Sequence, residues 1–186
     1  MSSTDFLKQK SSYRDLIAFR KAQCIYDVTY HFAHRFLAKG DRTVDQMVQA
    51  ARSGKQNIAE GRSTGNTSAE AEIKLMNVAK ASLQELLIDY EDYLRVRSLE
   101  QWTPEHPRFA RLRELCLHND DSAFYADLCT RLNDCEIANM AICLIHQTDA
   151  MLFKLIDYIK QDFADKGGAK EAMYNARIQA RNGGKR

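Results

Sequence analysis

Histidine side chains are the first candidates for metal binding or proton transfer in this chain. His31 and His34 lie three residues apart, so both would face the same side of a helix. A metal site needs more than two ligands, and histidines at this spacing are more often surface residues. No histidine follows a glutamate at the Glu-x-x-His spacing of helical di-iron proteins. The sequence therefore predicts no bound metal and no cofactor.

A row of carboxylates follows one side of a predicted helix, namely Glu85, Asp89 and Asp92. These groups could pair as general acid and base, but a solvated acidic face is the commoner role of such a row. The chain contains neither a Gly-x-Ser-x-Gly nucleophile turn nor a glycine-rich phosphate loop that ends in Gly-Lys-Ser/Thr. Without a specific catalytic arrangement, the sequence predicts a protein that is not an enzyme.

The cysteines and the N-terminal segment indicate the cellular compartment. The five cysteines are an odd number and form no Cys-x-x-Cys pair: Cys24, Cys116, Cys129, Cys135 and Cys143. Free thiols that serve as small apolar side chains are typical of a reducing cytosol. The chain has no apolar signal core and no run of about 18 apolar residues that could cross a membrane. We therefore expect a cytoplasmic protein without a membrane partner.

Charge is distributed unevenly along the chain. Residues 166–186 contain six cations and one anion, which gives a net charge of +5. Because the whole chain carries +2, the other 165 residues carry −3. Basic terminal segments often bind nucleic acid, although many only keep a protein soluble.

The basic C-terminal tail has a spacing that suits phosphate and base contacts. If residues 169–182 are helical, four side chains share one face: Lys170, Tyr174, Arg177 and Arg181. Cations on such a face can neutralise phosphates, and the aromatic ring can stack on a base. An equally weighted alternative is a solvated amphipathic tail that docks on the protein through Met173 and Ile178.

The apolar residues recur every three to four positions, which predicts helices and contradicts strands. Long helices joined by short links favour an all-α fold, an antiparallel up-down four-helix bundle. The predicted parts are a disordered N-terminus (1–11), the bundle (12–166) and a basic C-terminal suffix (167–186). A short helical insertion is expected between helices 3 and 4.

The four helices are expected at 12–37, from 41–43 to 61–65, at 67–102 and at 122–163. Capping-box spacing at Thr43 and Thr67 marks the starts of the second and third helices. In the first helix, the inward side chains are expected to be Leu16, Phe19, Tyr26, Tyr30 and Leu37. In the second, a stripe of mostly small residues allows another helix to approach closely: Met47, Ala51, Gly54 and Ile58.

Polar residues crowd the end of the second predicted helix. Asn57 and Glu60 lie three apart and share a face. They could form a buried polar pair that fixes helix register or a subunit contact. The simpler interpretation is a helix C-terminus that Gly61 caps in the left-handed conformation.

The segment from Ser53 to Arg97 resembles a known family. It reads Gln56-Asn-Ile-Ala-Glu-Gly-Arg62 and then Lys74-Leu-Met-Asn-Val-Ala-Lys-Ala-Ser-Leu-Gln-Glu-Leu87. These strings resemble the four-helix bundle proteins encoded in intervening sequences of bacterial 23S ribosomal RNA genes. The opening Tyr13-Arg-Asp-Leu-Ile-Ala-Phe-Arg-Lys-Ala22 is similar as well. The long connection before the last helix and the C-terminal suffix depart from the family pattern.

The resemblance implies a small up-down bundle that assembles into a homopentamer and is not an enzyme. Relatives include accessory proteins of retroelements, which bind nucleic acid and a reverse transcriptase through a basic surface. The resulting hypothesis is a ring-forming scaffold in which Arg52, Lys55, Arg62 and the basic tail contact the phosphates of RNA or DNA, and a nucleic-acid-processing protein could be a partner. The alternative function is a protein–protein interaction adaptor.

Overall fold

All regular structure in the described part of the chain is helical, which confirms the all-α class. The computed structural model describes residues 11–168, 171, 173–175, 177, 178 and 181. A 3₁₀ turn at Tyr13–Asp15 precedes six α-helices within residues 11–168. These are α1 (Ile17–Phe36), α2 (Arg42–Thr64), α3 (Ala69–Val96), α4 (Phe109–His118), α5 (Ser122–Arg131) and α6 (Asp134–Lys166).

The helix starts lie close to the predicted positions but use neighbouring caps. Asp41 accepts the Thr43 N–H at 2.9 Å at the start of α2, so the cap precedes Thr43. Ser68, one residue beyond the predicted Thr67, accepts the Ala71 N–H at 3.1 Å and caps α3. The first helix starts at Ile17 rather than at residue 12, because an extended residue separates it from the 3₁₀ turn.

The inward face of α1 differs from the predicted one. Tyr30 is 46% exposed, and Leu16, Phe19, Tyr26 and Leu37 are only partly buried. The buried apolar side chains of this face are others: Ala18, Ala22, Ile25, Val28, Phe32 and Ala33. The prediction was therefore wrong for Tyr30, whereas the other four predicted side chains pack at the edge of the core.

A buried lysine lies on this face of α1. The Lys21 ammonium group donates hydrogen bonds to the main-chain carbonyls of Cys116, Leu117 and Asn119. These carbonyls belong to the last turn of α4 and the residue after it, where the helix dipole favours a cation. Burial lowers the pKa of Lys21, against the nearby thiols and Asp120, which raise it. Lys21 thus joins α1 to α4.

The predicted fourth helix, 122–163, is interrupted. Leu132 is extended, and α5 ends at Arg131. Asn133 then starts α6 with a complete capping box: its side chain accepts the Glu136 N–H at 2.9 Å, and Glu136 accepts the Asn133 N–H at 3.1 Å. The single-helix prediction was wrong because a continuous apolar period hid this cap. The insertion consequently contains two helices, α4 and α5.

Small residues bring α2 and α3 close together, as predicted. Met47, Ala51, Gly54 and Ile58 are all buried. A Cβ atom on Gly54 would lie 2.8 Å from Leu83 Cδ2, so only glycine fits without movement of the leucine. Close backbone approach lets one helix surface interlock with the other.

The helix α3 also packs against α6, and the two run in opposite directions. The Lys80 ammonium lies 3.6 Å from Asp149, and the Tyr93 hydroxyl donates to Asp134 at 2.9 Å. The helix α1 contacts both α2 and α6, which completes a closed set of contacts among α1, α2, α3 and α6. The remaining helices lie outside this set, α4 on α6 and α5 on α1.

The buried thiol of Cys24 should make the fold sensitive to alkaline pH. Burial raises its pKa from 9.0 to about 12. Because the unfolded thiol ionises first, the unfolded state binds fewer protons above pH 9, and stability falls as pH rises from 9 towards 12. Between pH 9 and 10.5, wild type should lose about 1.5 kcal/mol more unfolding free energy than Cys24→Ala.

Urea unfolding at several pH values measures this difference. The matched control is Cys135→Ala, whose thiol is only partly buried and should give a smaller change in pH dependence. Identical pH profiles for wild type and Cys24→Ala would contradict the assigned burial of this thiol.

Candidate nucleic-acid interface

The basic tail begins at a sharp break after α6. Gly167 has φ of +72°, a left-handed conformation, and ends α6, which extends to Lys166 rather than to the predicted residue 163. The Gly168 N–H then donates to the Glu171 carboxylate at 2.9 Å. This is the contact that the third residue of a helix makes with its N-cap residue. The described residues from Glu171 to Arg181 are helical.

The described side chains of the tail face solvent. Tyr174, Arg177 and Arg181 are exposed, and their helical spacing places them on one face. Lys170 lies outside the described residues. Met173 is 53% exposed and Ile178 37% exposed, so the alternative in which these two dock on the protein is not the observed arrangement.

Only part of the predicted basic surface on α2 is open to a ligand. Arg52 is exposed. Lys55 is half-buried, and its ammonium lies 4.1 Å from the centroid of the Tyr26 ring in a cation–π contact. An ammonium that already lies on an aromatic ring is less free to neutralise a phosphate.

Arg62 belongs to the corner between α2 and α3 rather than to an open surface. Its side chain is 13% exposed, and its guanidinium lies 3.5 Å from the fully buried Glu72 carboxylate. The same guanidinium donates to the Ser11 hydroxyl at 2.9 Å and to the Ser11 carbonyl at 3.2 Å. A side chain on Gly65 would overlap the Glu72 carboxylate. Arg62 therefore compensates a buried charge and fixes Ser11, the one described residue of the segment predicted to be disordered.

The predicted Asn57–Glu60 pair is not formed. Glu60 is exposed, whereas the Asn57 amide donates to the Ser53 carbonyl at 2.9 Å and to its hydroxyl at 3.2 Å. The Ser53 and Ser82 hydroxyls lie 2.9 Å apart and carry this polar contact across to α3. The prediction missed the contact between Ser53 and Ser82 because Ser82 lies on another helix, α3.

Gly61 is not a left-handed cap either. It lies inside α2 and is buried, and the helix continues to Thr64. A Cβ atom here would lie 3.2 Å from Leu75 Cβ and 3.3 Å from the Glu72 carbonyl. Its small size, rather than its conformational freedom, suits this close contact with α3.

An acidic groove lies between α2 and α3. Asp45, Glu85 and Asp89 line this groove, whose volume is about 630 Å³. Burial, and then the charges of Asp92 and Glu85, raise the pKa of Asp89. A concentration of negative charge repels phosphates, so this face disfavours nucleic acid.

The candidate metal ligands are not brought together. Among the described residues, no three His, Cys, Asp or Glu side chains are arranged to hold a metal ion. His31 and His34 are exposed, and His34 Nδ1 lies 2.8 Å from the Tyr30 carbonyl. The part of the chain that the structure describes also contains no helix long and apolar enough to cross a membrane.

Neither known protein families, nor curated proteins, nor solved structures gave a match to this chain. The resemblance to the intervening-sequence proteins thus rests on the sequence strings between Ser53 and Arg97 and on the opening string Tyr13–Ala22. The geometry adds that Arg177 and Arg181 of the tail are exposed, as is Arg52 on α2, whereas Arg62 is structural.

Arg62→Ala should lower stability rather than nucleic-acid affinity. Removal of the guanidinium leaves the Glu72 carboxylate with less compensation, which should cost about 2–4 kcal/mol of unfolding free energy. Glu72→Gln in the same chain should restore part of the loss, because the buried group is then neutral. Arg52→Ala, at an exposed site, should change stability by less than about 0.5 kcal/mol. Urea unfolding tests all four proteins, and equal stability of Arg62→Ala and Arg52→Ala would contradict the assignment.

Proposed function

We propose that this chain is a non-enzymatic helical scaffold that binds RNA or DNA through its basic tail. The observation that carries the proposal is charge separation: residues 166–186 carry +5 and the rest of the chain −3. Arg177 and Arg181 are exposed on the same helical face as Tyr174, so cations and an aromatic ring are presented together. Backbone contacts of this kind bind with strong salt dependence and little sequence preference.

The proposed scaffold is an antiparallel up-down four-helix bundle formed by α1, α2, α3 and α6. The opposed directions of α3 and α6 and the closed set of contacts among the four helices support it. Its resemblance to the intervening-sequence proteins supports assembly into a homopentamer in the cytoplasm. Several tails on one ring would act at a high effective concentration, so weak contacts could add to useful affinity.

A protein–protein adaptor is the second candidate function. Three apolar side chains of the tail are exposed: Met173, Tyr174 and Ile178. An amphipathic helix with such a face can lie in a groove of another protein, such as a nucleic-acid-processing enzyme. The cations of the tail would then contact an acidic rim on the partner.

Neutralising the tail arginines should weaken nucleic-acid binding. Arg177→Gln/Arg181→Gln removes two phosphate contacts per subunit, so the slope of log affinity against log salt should become less steep by about 1.4–1.8 per subunit. The matched control is Arg42→Gln/Arg111→Gln, which removes the same charge from exposed body positions. Gel shifts with single-stranded RNA and duplex DNA at low and high salt measure both. Equal losses in the two variants would place the site outside the tail, and absence of binding in wild type would favour the adaptor.

Light scattering tests the oligomer. The chain has a mass of 21.3 kDa, and a homopentamer should give five times this value. A monomer at tens of micromolar would count against assembly, since interfaces of moderate affinity persist at that concentration.

Truncation after residue 166 should leave the helices folded, because the buried apolar residues of α6 extend only to Ile159.

A further inference from the structure

A cavity of about 330 Å³ lies between the α3–α4 connection, α4 and α6. Apolar side chains from all three form much of its wall: Trp102, Phe109, Leu112 and Ile142. This volume is at the small end of the range for ligand pockets, which are about 300–1,000 Å³ and mostly apolar with few polar groups. The cavity belongs neither to the tail nor to the acidic groove.

Hydrogen bonds fix the connection that forms one wall. Asn139 on α6 is buried, and its side chain accepts the Trp102 N–H at 2.7 Å while donating to the Glu100 carbonyl at 2.9 Å. The Trp102 ring stacks on His106, with the ring centroids 4.7 Å apart. The main chain and the indole are both held, so the pocket exists before a ligand arrives, which reduces the entropic cost of binding.

The pocket wall contains a positively charged residue and no negatively charged one. Arg113 lines the cavity, and the cavity wall contains no aspartate or glutamate. Within the described residues, no carboxylate lies in ion-pair contact with Arg113. A hydrogen bond from Cys116, and the charges of Arg113 and Lys21, lower the pKa of the Cys143 thiol in the same wall, against the opposing effect of burial. Arg113 is exposed, and its positive charge reaches this thiol in the cavity wall.

Gln147 holds the main chain at Arg113, a residue that is itself exposed. Its side-chain amide donates to the Arg113 carbonyl at 2.9 Å and so joins α4 to α6 beside the cavity. The Gln147 Oε1 atom is buried without a hydrogen-bond donor among the described residues. A buried acceptor without a donor is unfavourable in a site whose only role is packing.

We propose that this pocket binds a small aromatic carboxylate whose ring carries a hydroxyl group, because the hydroxyl can donate to Gln147 Oε1. The aromatic ring would pack between Trp102, Phe109 and the aliphatic side chains, where offset and edge contacts between rings are favourable. The carboxylate would pair with Arg113, whose planar guanidinium matches its two oxygens. The proposal is independent of nucleic-acid binding, because no residue of the tail takes part.

The sole tryptophan of the chain, Trp102, reports binding directly. The probe pair is 4-hydroxybenzoate and 4-hydroxybenzamide, which share the ring and the hydroxyl donor but differ in charge, titrated into the full-length protein with excitation of Trp102. The benzoate should change the fluorescence and bind about tenfold more tightly than the amide, because a hydrogen bond to a charged group is stronger than a neutral one.

Three variants make the proposal falsifiable. Arg113→Gln should abolish the preference for the benzoate, whereas Arg111→Gln, an exposed position on the same helix that does not line the cavity, should keep it. Leu112→Phe should reduce the affinity for both probes, because it fills part of the cavity. Equal affinity for the two probes in wild type, an unchanged preference in Arg113→Gln, or no response of Trp102 at millimolar probe would each overturn the proposal.

Discussion

The buried ammonium group of Lys21 is the interaction on which the shape of the insertion depends. Taking a cation out of water costs several kcal/mol, and here three main-chain carbonyls at the end of α4 compensate for it. The Cys116 and Leu117 carbonyls lie in the last turn of α4, which leaves its acceptors without helical partners, and the Asn119 carbonyl also accepts the Tyr125 hydroxyl at 3.0 Å. The contact therefore gives hydrogen-bond partners to both the ammonium group and the carbonyls, and it holds α4 against α1. Gln147 holds the same helix from α6, and the cavity lies beside α4.

Electrostatics divides the molecule into regions with different roles. The α2–α3 groove concentrates carboxylates, and Arg62 is occupied by Glu72. Net positive charge is concentrated in residues 166–186, although exposed cations such as Arg52 also lie on the body. Gly167 has a left-handed conformation and ends α6 before the tail.

Local patterns in the sequence predicted those structural features that depend only on residues close together in the chain. The small-residue stripe of α2 is a local pattern, and its burial against α3 is confirmed. The predicted face of α1 missed the buried Lys21, because its carbonyl partners lie about 95 residues away, beyond any periodic pattern. Arg62 was counted as a surface cation for the same reason, since only the α2–α3 corner brings Glu72 to it. The pocket could not be predicted, because its wall combines three segments that no motif connects.

The hydrogen bond between Tyr93 and Asp134 has a consequence for how this chain can change. It joins the end of α3 to the start of α6 at 2.9 Å, although about forty residues separate them along the chain. The intervening segment leaves and rejoins the other helices at almost the same point, so its length is nearly independent of their packing, and closing a longer or shorter loop there costs little. Residues 97–133 can therefore change in length between their ends, provided that the carbonyls that bind Lys21 and the buried side chains of Cys116, Tyr125 and Cys129 are kept. Insertions are then expected to be tolerated in the exposed turns of this segment while the four long helices keep their register.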